Sequence, residues 1–165
     1  MSYLRFAAMI ATSTVVMYGL MYLNTYQFDH VFYSQTRLWM ALLMGATMAI
    51  IMLGFMWAMY RKRAVNYAII AGAIAVFAGS LFLVRSQALV GDVDYMRAMI
   101  PHHSIAVLTS TNANIRDARV RELADEIIAA QVREIDEMKS LIADLEADPP
   151  PADAPVLEPR AADAP

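Results

Sequence analysis

The run Met96-Arg97-Ala98-Met99-Ile100-Pro101-His102-His103 sets two thioethers beside two imidazoles. Met96, Met99 and His103 are spaced by threes and fours, so in a helix they share one face, and His102 sits about 100° further round. Downstream, Gln131, Glu134 and Met138 repeat the same spacing. Imidazole suits copper, zinc, iron and nickel, whereas thioether selects copper(I). The chain has no cysteine and thirteen methionines, so any sulfur ligand must be a thioether. One reading is therefore a metal site built from imidazole, thioether and a carboxylate. The other is a buried hydrogen-bond cluster without metal, His103 bonding Glu134 or Gln131, because polar groups on a packing stripe must be paired.

The elements that position these residues are helical. From Asp92, a plausible N-cap followed by Asp94 in the first turn, an amphipathic pattern runs to about Thr111, with Pro101 depriving the Arg97 carbonyl of its donor. Asn112-Ala113-Asn114 reads as a turn. Asp117 caps a second helix reaching about Leu145, whose stripe is Val120, Leu123, Ala124, Ile127, Ile128, Ile135, Met138, Leu141, Ile142 and Leu145. Two such helices cannot bury both apolar faces alone. The expected solution is a homodimer closing a four-helix bundle, with the membrane part as a lid the alternative. Six of the seven prolines fall between 149 and 165 among Ala and Asp, so residues 148–165 are expected to be a disordered tail.

Upstream, residues 1–84 form an apolar domain. Hydrophobic residues make up 59 % of the chain, and the excess lies in three runs, about 4–23, 38–60 and 65–84, each long enough to cross a bilayer. The expected fold class is all-α, three transmembrane helices followed through a linker (85–91) by a helical hairpin domain (92–147). Small residues at four-residue spacing, Ala41/Gly45/Ala49 and Ala71/Ala75/Gly79, are expected packing faces. Met40, Met44, Met48, Met52 and Met56 also repeat by four, readable as flexible packing or as a thioether path for copper(I).

Charge divides the chain in the same place. Residues 1–84 carry five basic side chains against Asp29, and residues 85–165 carry eight basic and fifteen acidic ones. An acidic C-terminal part argues against nucleic acid and suits cations. No Glu-x-x-His pair, nucleophile–base motif or phosphate-binding loop is present, so binding, not enzymatic catalysis, is the expected role; an unidentified protein partner is the other outlet for the acidic surface.

Met99-Ile100-Pro101-His102-His103 with Ala106, followed by Val120-Arg121-x-Leu123-Ala124 and Ile127-Ile128-x-x-Gln131-x-x-Glu134-Ile135-x-x-Met138, resembles the domain of unknown function 305 family over about residues 92–145. The resemblance implies a ferritin-like helical fold, and some relatives are periplasmic copper-binding proteins that use Met and His. Carried over by position, it points to Met96, Met99, His102, His103 and Met138 as ligands of a copper ion. Glu134, Gln131 and the loop residue His30 are further candidates.

Orientation follows from the Arg61-Lys62-Arg63 cluster, which the positive-inside rule assigns to the cytoplasm. The N-terminus is then cytoplasmic and the hairpin periplasmic, in a multi-pass protein of a bacterial inner membrane, with all three histidines on the outer side. A reporter enzyme active only in the periplasm should work when fused after Leu145, and one active only in the cytoplasm when fused after Arg63. The reverse pattern would refute this orientation.

Overall fold

The computed structural model describes residues 2–151 and 153–157. Five α-helices follow one another, α1 (Tyr3–Leu20), α2 (Gln35–Phe55), α3 (Arg63–Ser86), α4 (Asp92–Asn112) and α5 (Ala118–Ala147). Short 3-10 turns occur at Phe28–His30 and Trp57–Met59. There is no strand among the described residues. Helices α1, α2 and α3 are long and apolar enough to cross a membrane.

The ends of these helices depart from the apolar runs for identifiable reasons. Helix α2 begins at Gln35 because Ser34 caps it, its side chain accepting the Arg37 N–H at 3.2 Å. It stops at Phe55, short of Tyr60, because the Tyr60 ring is drawn into a buried pocket against Tyr3 and Phe6, with centroids 4.9 and 5.6 Å away. Its carbonyl accepts from Asn66 Nδ2 at 2.9 Å. Asn66, fully buried, also accepts from the Tyr3 hydroxyl at 2.8 Å. A polar side chain on an apolar helix is tolerated only when satisfied in this way.

Helix α2 packs against both α1 and α3. Ala41, Gly45 and Ala49 are buried as expected. The second small-residue stripe is not: Ala71, Ala75 and Gly79 are exposed, and the buried residues of α3 are Asn66, Ala73 and Ser80. That seam repeats every seven residues, the period of helices crossing at a shallow angle. Of the methionine series, Met52 and Met56 pack against the core of Phe6, Leu53 and Tyr60.

Helices α4 and α5 form an antiparallel hairpin, tied by Arg97 to Glu146 and by Arg121 Nη1 donating to the Ser110 carbonyl at 3.0 Å. Asp117 caps α5, accepting the Arg119 N–H at 2.9 Å. Asp92 is not the cap of α4: the extended Gly91 takes that position, and Asp92 and Asp94 both lie in the first turn beside the helix's positive end. The hairpin core is Met96, Ile100, Ile135 and Ile142, with Phe32 from the α1–α2 connection packed on it. That connection is the lid. Asp29 bonds Lys139 at 2.6 Å, and buried Ser104 accepts the Tyr26 N–H at 2.7 Å. The lid leaves much of the α5 stripe uncovered, with Val120, Leu123 and Leu141 about half exposed. Beyond Asp148 no regular element forms through residue 157, and residues 152 and 158–165 of the expected tail lie outside the described residues.

Gly45 offers a test of the α1–α2 contact. A Cβ there would lie 2.3 Å from Thr14 Oγ1, a side chain that itself donates to the Ile10 carbonyl. Gly45→Ala should destabilise the full chain by about 1–3 kcal/mol, and Thr14→Ala in the same chain should restore most of that. Thermal melts in detergent read the coupling; additive losses would show that the helices do not meet here.

Candidate metal centre

Three successive residues of α4 face three surroundings. His103 turns toward α5, His102 toward the apolar helices and Ser104 toward the α1–α2 connection, as steps of about 100° require.

His103 lines an open groove of about 560 Å³ between α4 and α5, together with Met96, Met99, Glu134 and Met138. Its Nδ1 lies 2.9 Å from the Met99 carbonyl and its Nε2 lies 2.8 Å from Glu134 Oε2. A carbonyl oxygen can only accept, so Nδ1 carries a proton; a carboxylate also accepts, so the Nε2–Glu134 contact needs a second proton, on Nε2 or on the carboxyl, which a metal ion bound at Nε2 would displace. Nε2 is then the atom free to exchange one partner for another. Gln131 Nε2 reaches the same carboxylate at 3.5 Å, the outer limit of a hydrogen bond. Asp92 and Glu137 add negative charge to the groove wall, which favours cations there.

The groove thus brings together Met96, Met99, His103 and Met138, with Glu134 against the imidazole. It does not include His102, whose ring centroid is 6.1 Å from that of His103 and which lines a second cavity with Met21 and Met40. Nor does it include His30, which is buried on another side of α4, its Nδ1 3.0 Å from Ser104 Oγ. Among the described residues, no three of His, Asp and Glu cluster as a metal site. A centre in this groove has to be built on sulfur and one imidazole, which hard ions such as calcium and magnesium do not accept.

Sequence spacing correctly associates positions along one helix but does not reveal the partner across a gap. Ser104 as the anchor of the α1–α2 connection carries no local signal. The pairing of Asp29 with Lys139 is equally silent, since the two are far apart in sequence. Tyr95, which lines the groove, could have been found from its position one turn before Met99.

A family model described as a domain of unknown function (DUF305) matches residues 92–163. An uncharacterized protein, L153 of Acanthamoeba polyphaga mimivirus, is 39 % identical over 64 residues, covering 38 % of this chain and 42 % of that relative. The chain thus spans less than half the length of the curated relative it matches. No solved structure matches the chain.

His30 makes the lid sensitive to acid. Burial holds its imidazole below the ordinary value, against the opposing pull of Asp29 and Asp136 and with the help of Lys139. The unfolded or undocked state then binds the extra proton more readily. The contribution of His30 is complete above about pH 6.5 and is lost as the pH falls below it through the lowered folded value. The hydrogen bond from Lys139 holds the Asp29 carboxyl below the usual range, so that contact persists until more acidic pH. Exchange protection of the Tyr26 amide should fall between pH 7.5 and 5.5, by at most about tenfold per unit for one proton. In His30→Gln, which can bond Ser104 without titrating, it should be flat. Equal pH dependence in the two proteins would exclude His30 as the cause.

Proposed function

We infer, from the premise that residues 92–163 form a DUF305 domain, that this chain is a membrane-anchored copper(I)-binding protein. Helices α1, α2 and α3 cross a bacterial inner membrane, the Arg61-Lys62-Arg63 turn stays in the cytoplasm, and the hairpin stands in the periplasm. The observation that carries the metal reading is the lining of one groove by Met96, Met99, Met138 and His103 in a chain without cysteine. Thioether and neutral imidazole are the donors that prefer copper(I) over harder ions. His103 would bind through Nε2, its ring already oriented by the Nδ1 bond to the Met99 carbonyl. Glu134 would hold Nε2 in the absence of metal and release it when metal enters. The half-exposed α5 stripe continues from the groove, and a second copy of the chain laid on it would complete a four-helix bundle and close the site to water.

A second reading rests on the same 2.8 Å contact. If His103 and Glu134 are simply a satisfied polar pair, the hairpin is a structural or interaction module and binds no metal. The two readings separate on melting curves with and without copper(I), together with metal content by mass spectrometry. Copper binding predicts a rise in melting temperature of the wild type, a sharp loss of affinity in His103→Ala, partial retention in His103→Met, and no loss in Glu134→Ala. The structural pair predicts that Glu134→Ala costs about 1–3 kcal/mol in the metal-free protein by leaving the largely buried imidazole unpaired, and that His103→Ala costs less through this bond because the more exposed carboxylate rehydrates. It also predicts no response of the wild type to copper(I).

A further inference from the structure

The second cavity, about 370 Å³, lies where the hairpin meets the ends of the apolar helices. Met21 at the end of α1, Ser34 and Arg37 at the start of α2, and Gln87 just past α3 all line it. Its centre of charge is Arg37, only 9 % exposed although it carries a guanidinium. Nη1 donates to the Met21 carbonyl at 2.6 Å, and the guanidinium lies 4.5 Å from the centroid of the Tyr22 ring. No Asp or Glu is within salt-bridge distance among the described residues, and Nε and Nη2 have no hydrogen-bond acceptor there.

A guanidinium offers five donors, and burying the charge without a counter-ion is costly. The carbonyl at the end of α1 offsets part of that cost, but Arg37 also stands in the first turn of α2, where the helix dipole opposes a cation. Asn24, Thr36 and His102 also line the cavity, whose surface is otherwise mostly apolar. Met21, Met40 and Ile105 supply apolar lining. Thioethers and an imidazole could suggest a second soft-metal site, but a positive charge already occupying the cavity repels a metal cation. An oxyanion satisfies the unpaired fork.

We propose that this cavity binds the phosphate of an anionic lipid headgroup, with Arg37 as its counter-charge and the Met21, Met40 and Ile105 wall taking the glycerol end of the lipid. The inference rests on the membrane reading of α1, α2 and α3, because that reading sets the three helix ends, and the cavity between them, at headgroup depth. Free phosphate shares the charge but has no use for the apolar wall.

The test uses the full chain, purified in detergent, stripped of lipid and followed by native mass spectrometry. Phosphatidylglycerol should bind at least about tenfold tighter than phosphatidylcholine or inorganic phosphate, a difference of about 1.4 kcal/mol. Arg37→Gln should remove that preference and Arg37→Lys should keep part of it. Ala98→Phe, which fills the cavity without changing charge, should also abolish binding and decides the matter if Arg37→Gln does not fold. Unchanged phosphatidylglycerol binding in Ala98→Phe and a folded Arg37→Gln overturns the proposal. Inorganic phosphate binding as tightly as the lipid overturns the lipid as occupant. A chain that resists alkaline carbonate extraction yet binds none of the probes refutes this inference alone, whereas release by carbonate refutes the membrane reading beneath it.

Discussion

The arrangement of the C-terminal half depends on the buried hydroxyl of Ser104. It accepts the backbone N–H of Tyr26 at 2.7 Å and meets His30 at 3.0 Å, so one oxygen holds two points of the α1–α2 connection. Because α4 is one continuous helix through Pro101, fixing Ser104 also fixes the rotation of its neighbours. His103 must then face α5, and His102 must face the apolar helices. Had α4 been free to turn by one residue's angle, Ser104 would replace His103 in the groove, or His102 would enter the groove and leave the junction cavity. The docking contact is therefore part of the site although it touches neither cavity's chemistry.

Hydropathy alone located the three long apolar helices and the hairpin to within a few residues, because length and periodicity are local properties. Asp117 as a cap and Ala41, Gly45 and Ala49 as a packing face were legible for the same reason. The errors lie where a second element intervened. Tyr60 leaves the α2 helix because Tyr3 and Phe6 offer its ring a buried place. Ala71, Ala75 and Gly79 face outward because α3 contacts α2 along Asn66, Ala73 and Ser80 instead. Gly91, not Asp92, holds the extended cap position, because the helix starts one residue earlier than the first acidic side chain suggests. The candidate site was similarly half legible. Met96, Met99 and His103 share a helical face and meet Glu134 and Met138 across the hairpin, and the spacing already turns His102 about 100° away, but the Met21 and Met40 that share its cavity come from the end of α1 and from α2 and leave no local signal.

The polar residues on the apolar helices follow one rule. Asn66 spans from the Tyr3 hydroxyl to the Tyr60 carbonyl, so both its amide oxygen and its amide nitrogen are paired. Arg37 has a carbonyl and an aromatic face but no carboxylate. The first is a closed structural staple at the end near residues 60–66. The second, at the opposite end, retains capacity for another group. That contrast between a completed and an uncompleted polar cluster separates the two ends of the same bundle.

Met99 lines both the hairpin groove and the junction cavity. Its thioether is thus a shared partition, apolar toward each side. Addition of a single oxygen to that sulfur would make it a sulfoxide, polar and no longer a soft donor. One oxidation event would remove a soft donor from the groove, the one the copper(I) proposal relies on, and set a dipole against the junction cavity at the same moment, so oxidant exposure would register in two compartments of the molecule through a single atom.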